Sequence, residues 1–133
     1  MTIKSLFSIL FLSISFLFSQ VLSEMDERKI TENLKDGVHI EYYDNGQPRF
    51  QMSIKNGQLH GPMISYDKDK RIRLSKNYEY GKKHGLELSY YEGTEQIFWS
   101  QMWKYGESHG TSTWYREDGH IIGQWNYKDG KLH

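Results

Sequence analysis

Four histidines, His60, His84, His109 and His133, recur once every 24 or 25 residues. Imidazole is a common zinc ligand, so a ladder of regularly spaced histidines is the first chemistry the sequence suggests. The spacing argues against it. Where each period is a hairpin, equivalent positions lie two strands apart, about 9.6 Å at ~4.8 Å per strand, whereas the ligands of one zinc all sit about 2.0 to 2.1 Å from the metal. These histidines are expected to steady turns, and His39 and His120 match no ligand pattern. The acidic pairs Glu117/Asp118 and Asp67/Asp69 resemble general acid-base pairs but fall at turn positions, where carboxylates are common and solvated. No nucleophile elbow, phosphate-cradling glycine loop or zinc-binding helix motif occurs. The expectation is a non-enzymatic protein with no metal and no cofactor.

What positions these residues is a repeat. The segments Asn56 to Gly61, Tyr80 to Gly85, Tyr105 to Gly110 and Asp129 to His133 align on their glycines and histidines. Gly37, Gly61, Gly85 and Gly110 open the copies, and Gly57, Gly81, Gly106 and Gly130 stand near their ends. The repeats are therefore 37–60, 61–84, 85–109 and 110–133. A second turn signal falls about nine residues into each copy, at Asp44-Asn45-Gly46, Asp67 to Lys70, Glu92-Gly93 and Glu117-Asp118-Gly119. Two turns per period imply two strands, and Asn-Gly or Asp-Gly suits the positive-φ geometry of tight hairpins.

Between the turns the residues alternate as half-buried strands require. Val38/Ile40/Tyr42, Pro62/Ile64/Tyr66, Leu86/Leu88/Tyr90 and Thr111/Thr113/Tyr115 form one set of ladders. Phe50/Met52/Ile54, Leu74/Tyr78, Trp99/Trp103 and Trp125/Tyr127 form the set on the partner strands. Both sets are expected on one apolar face, opposite a polar face of Gln51, Ser53, Ser75, Asn77, Ser100, Gln124 and Asn126 that Met102 interrupts. A lone hairpin is marginal, so successive hairpins must pair edge to edge. The fold class expected is all-β: tandem β-hairpin repeats forming an elongated, twisted antiparallel meander. The second copy lacks Asn-Gly at its first turn, where Asp69-Lys70 stands, and its hairpin is expected to be looser.

The chain has 133 residues, 37% of them hydrophobic, which bounds it to one modest core. Met1 to Ser23 pairs Lys4 with an apolar run, the architecture of a secretory signal peptide, with cleavage after Ser23 or Ser19. An uncleaved anchor is the competing reading, since roughly 17 apolar residues is the lower edge of a span. Export to the periplasm, cell envelope or medium follows. Residues 24–36 form a linker or short helix. With no cysteine, a lipidated cysteine and a disulfide framework are both excluded. Loss of 1–23 removes Lys4 alone from 17 basic and 17 acidic residues, and the resulting balance argues against nucleic acid. The run Lys68, Lys70, Arg71, Arg73, Lys76 with Lys82 and Lys83 reads as a solvated strand edge that blocks unwanted pairing.

Candidate binding residues are Tyr43, Tyr91, Met102 and Trp114, which are expected opposite the main apolar ladder, where exposed aromatics anchor partners. Another protein is the expected partner, with glycan or anionic lipid as the rival ligand and membrane association as a corollary. The open sheet edge of the last copy further suggests homodimers by strand addition.

The pattern of Gly37-Val-His-Ile-Glu-Tyr-Tyr-Asp-Asn-Gly46 and Gly110-Thr-Ser-Thr-Trp-Tyr-Arg-Glu-Asp-Gly119, each followed by a polar-aromatic strand, resembles the MORN-repeat variant of YwqK-like antitoxin family proteins. The resemblance spans Gly37 to His133. It implies a repeat β-meander that acts by binding, in membrane attachment or scaffolding, and an antitoxin-like role in which a toxin is neutralised in trans.

Overall fold

The computed structural model describes residue 31 and residues 33–133, so the expected signal peptide, its cleavage site and most of the 24–36 segment lie outside the described residues. Residues 35–133 form one compact unit. It holds ten strands: β1 (Gly37–Tyr42), β2 (Pro48–Lys55), β3 (Gln58–Tyr66), β4 (Ile72–Glu79), β5 (Lys82–Lys83), β6 (Gly85–Tyr90), β7 (Ile97–Lys104), β8 (Glu107–Tyr115), β9 (Ile121–Lys128) and β10 (Lys131–Leu132). They form one open antiparallel sheet in chain order, with β5 and β6 both on β4 and separated only by His84. The all-β hairpin meander expected from the repeats is therefore the architecture found.

The two turn classes differ. At the repeat junctions, Asn56-Gly57, Tyr80-Gly81, Tyr105-Gly106 and Asp129-Gly130 all have positive φ at both residues, from 47° to 92°. Two consecutive left-handed residues define the primed two-residue hairpin, whose twist matches that of its strands. Within the repeats the turns are wider: Tyr43 N–H donates to Gln47 O and Gly46 N–H donates to Tyr43 O, with only Gly46 at positive φ. The tight turns thus sit near the end of each copy, and the wide turns nearer its start.

The second copy closes its wide turn by the same backbone pattern without a glycine. Lys70 takes the left-handed position (φ 65°), and Asp67 N–H donates to Arg71 O. Asp67 Oδ1 accepts from the Asp69 and Arg71 amides at 2.8 and 2.9 Å, while the Arg71 guanidinium reaches both Asp67 and Asp69. The Arg71 hydrogen bond holds the Asp67 carboxyl below its usual range, against the smaller opposing effect of desolvation. Side-chain clamping here does what Asn-Gly does in the first copy.

The register corrects the expected faces. Residues paired directly across an antiparallel ladder share a face. Val38 pairs with Ser53, Ile40 with Gln51, Ile64 with Gln51 and Ser75, and Leu88 with Ser75 and Ser100. Met52 instead pairs with His39 and Met63. The two apolar ladders therefore lie on opposite faces, each alternating with polar rows from neighbouring strands. The cause is the wide turn with its bulge at Glu41/Tyr42, since a one-residue shift in register moves a whole strand's side chains to the other side.

Burial follows this division. On the Met52 face Met52, Ile54, Leu59, Met63 and Tyr78 form the buried apolar core, each contributing roughly 1.5–3 kcal/mol for full burial. The core thus lies in the first two copies. On the Ile64 face Val38, Ile40, Leu86 and Met102 are exposed.

The copies are tied together at their tight turns. Gly81 N–H donates to Leu59 O, Gly106 N–H to Lys83 O and Gly130 N–H to Ser108 O, at 2.8–2.9 Å. Each turn thereby satisfies its free amide on the preceding repeat. After the turn, β3 and β8 carry two extra residues: Ile54 pairs with Leu59 but Met52 with Met63, and Trp103 with Ser108 but Gln101 with Ser112. This bulge holds the His-Gly pair of each copy.

Candidate functional site

The bulge aims each histidine at the next turn. Tyr80 N–H donates to His60 Nδ1 at 3.5 Å and Tyr105 N–H to His84 Nδ1 at 3.4 Å. The rings pack together as well, edge-on with centroids 5.4 Å apart for His60–Tyr80 and tilted at 4.4 Å for His84–Tyr105. His109 Nδ1 lies 3.4 Å from Asp129 Oδ1 at the following turn. Among the described residues no group of three His, Cys, Asp or Glu side chains converges on a point that would hold a metal.

The four candidate binding residues do not share a surface. Tyr43 and Tyr91 occupy equivalent positions at wide turns, and their hydroxyls donate to the carbonyls of Tyr66 and Tyr115 at 2.8 and 2.7 Å. Both phenols are thus engaged in joining one repeat to the next. Tyr43 also borders a groove of about 270 Å³ with Tyr42, Asp44, Asn45, Arg49 and Lys68. The Arg49 and Lys68 cations lie 5.9 and 6.0 Å from its ring centroid.

Trp114 lies on the Met52 face, paired with Trp99 and packed edge-on to Phe98 at 5.0 Å, which in turn meets Tyr91 at 5.1 Å. Met102 pairs with Leu86 on the Ile64 face. Trp114 and Met102 consequently point to opposite sides, and the expectation that all four residues lie opposite one apolar ladder is corrected by the same register that divides the ladders. Of the four, Met102 alone joins an exposed apolar pair.

A second constellation was not singled out from sequence. In the later copies the Met52 face buries polar groups: Glu87, Gln101 and Ser112 are each no more than 5% exposed. Glu87 Oε2 and the Trp103 indole N–H are buried without hydrogen-bond partners. Lys83 Nζ stands 4.3 Å over the Trp103 ring and 3.3 Å from Glu87 Oε2. The His84-Gly85 bulge brings Lys83 and Glu87 to the same side. The signal available in the sequence was the interruption of the apolar ladders by Lys76 and Gln101.

The arrangement offers surfaces and paired backbone rather than a nucleophile with its base. A comparison with curated proteins finds no match. Two stretches, residues 35–56 and 108–129, match the family model described as the MORN repeat variant, the first spanning β1, its wide turn and β2, the second most of β8, its wide turn and β9. These two stretches, in the first and last copies, are thus similar to MORN-type repeats.

Proposed function

We propose that this chain is an exported, non-catalytic repeat module that binds another protein through the Ile64 face. The observation that carries this reading is the exposure of Val38 (61%), Ile40 (41%), Leu86 (41%) and Met102 (40%) on one side of a sheet. Apolar patches rimmed by polar side chains favour association, because their burial releases water from apolar surface. Leu86 and Met102 face each other directly across β6 and β7, with Asn77 and Thr111 in the flanking strands. The leader read in Met1 to Ser23 supports export. An antitoxin-like role, with a toxin as the bound protein, is the narrower form and rests on the resemblance of Gly37 to Gly46.

The test is to isolate the protein retained by the chain from native envelope and titrate it, purified, against Leu86→Asp and Met102→Asp. Both side chains are exposed, so the fold tolerates the change. Each substitution is expected to weaken binding at least about tenfold, as truncation of an anchor does. Unchanged affinity in both variants overturns the assignment of this face.

A second reading, glycan or anionic-lipid binding, is favoured by the Lys83–Trp103–Glu87 cluster, which offers a ring face, a cation paired with a carboxylate and an indole N–H that makes no hydrogen bond. Flat titrations with cell-wall fragments and with anionic vesicles remove it.

A further inference from the structure

The two edges of the sheet are unfinished in complementary ways. β10 pairs with Lys128 and Tyr127 of β9 and His133 N–H donates to Asn126 O at 2.8 Å, leaving Ile121 to Trp125 with no strand on that side among the described residues. At the other edge β1 pairs, among the described residues, with β2 alone. β10 with His133 has the character of the first third of β3, Gln58-Leu59-His60, and β1 that of the remainder, Gly61 to Tyr66. Placed end to end, Lys131-Leu132-His133 and Gly37 to Tyr42 make one strand equivalent to the whole of β3.

The ties between repeats are half-made at the same places. Gly81, Gly106 and Gly130 each donate to the preceding copy, whereas Gly57 makes no such bond among the described residues. Leu132 O, the counterpart of the acceptors at Leu59, Lys83 and Ser108, receives none. His133 stands where His60 and His84 reach a following turn, and Asn56 stands at the one tight turn that no histidine reaches. Exposure agrees: Val38, Ile40 and Tyr42 on β1, and Ile121, Ile122 and Trp125 on β9, are 41–61% exposed.

We propose that copies of this chain join head to tail, β1 of one copy adding to the open edge of β9 of another so that the repeat continues across the junction. Repeating the β2–β3 register at the junction sets Ile40 opposite Gln124 and His39 opposite Trp125. Gly57 N–H of the incoming copy then donates to Leu132 O, and His133 reaches the Asn56 turn. The contact is heterologous, so it propagates into longer assemblies instead of closing as a two-fold dimer.

The chain lacks cysteine, which makes the register testable. Two single variants, Ile40→Cys and Gln124→Cys, both at exposed positions, are oxidised separately and mixed. Directly opposed strand residues have Cα atoms about 4.5–5.5 Å apart, within disulfide reach. The mixture is expected to yield a covalent dimer while each variant alone remains uncrosslinked. Crosslinking of either variant with itself to the extent seen in the mixture, or no crosslinking in any sample, overturns the proposal. Light scattering on the unmodified chain provides the independent reading. The mass is expected to rise with concentration beyond that of a dimer, and Trp125→Lys, which adds an edge charge, is expected to abolish the rise. A mass that stays at that of a single chain at all concentrations overturns the proposal as well.

Discussion

Ile54→Ala is expected to lower the free energy of unfolding by about 3 kcal/mol, whereas Val38→Ala costs less than about 0.5 kcal/mol. Both are aliphatic residues in adjacent strands of the first repeat. Ile54 is 3% exposed and packs on the face of Met52, Leu59, Met63 and Tyr78, so its truncation removes transferred area and leaves a cavity. Val38 is 61% exposed on the other face, and its truncation changes little that water does not already reach. Urea denaturation followed by tryptophan fluorescence and far-ultraviolet circular dichroism measures both. Equal losses for the two variants would mean that the two ladders share one core after all.

Gly106→Val is expected to cost about 2–3 kcal/mol, against about 0.5 kcal/mol or less for Lys104→Val two residues earlier. Gly106 has φ +92° in a tight turn whose first residue, Tyr105, is already left-handed at 47°. A side chain branched at Cβ clashes with its own backbone in this region. The substitution also disturbs the amide that donates to Lys83 O at 2.8 Å, one of the three bonds that join successive turns. Lys104 is an exposed residue of regular strand, where valine is well accommodated. Hydrogen exchange separates local from global effects: faster exchange is expected first in the amides of Tyr105 to His109, next to the lost tie.

The repeat itself was legible because glycine is demanded at positions where the backbone is left-handed, and those demands return with every copy. Gly57, Gly81, Gly106 and Gly130 all prove to have positive φ, as do Gly37, Gly61, Gly85 and Gly110. The alternation within each strand was equally readable, since Met52 and Ile54, or Ile40 and Tyr42, share a side whatever the neighbours do. The phase between strands was not. It depends on the number of residues each turn absorbs and on the bulge at Glu41/Tyr42, neither of which composition specifies.

The binding candidates illustrate the same boundary. Tyr43 and Tyr91 are aromatic residues beside turns, and their residue type alone suits an exposed anchor as well as a tie between repeats. What decides is the carbonyl 23 or 24 residues later that each hydroxyl meets. Recurrence of tyrosine at equivalent places in the first and third copies is the sequence trace of that tie. The polar cluster of Lys83, Glu87 and Trp103 was hidden for a different reason: the bulge at His84-Gly85 must first fold before Lys83 and Glu87 come within 3.3 Å.

The division of the sheet into a packed face and a free apolar face underlies both the stability of the repeat and its proposed role in binding. Maleimide labelling of single-cysteine variants at Val38, Ile40, Met52 and Met63 measures that division directly, in a chain with no competing thiol. The account predicts rapid labelling at Val38 and Ile40 and protection at Met52 and Met63 until the chain unfolds. Similar protection at all four positions would place the two ladders on one face and contradict it.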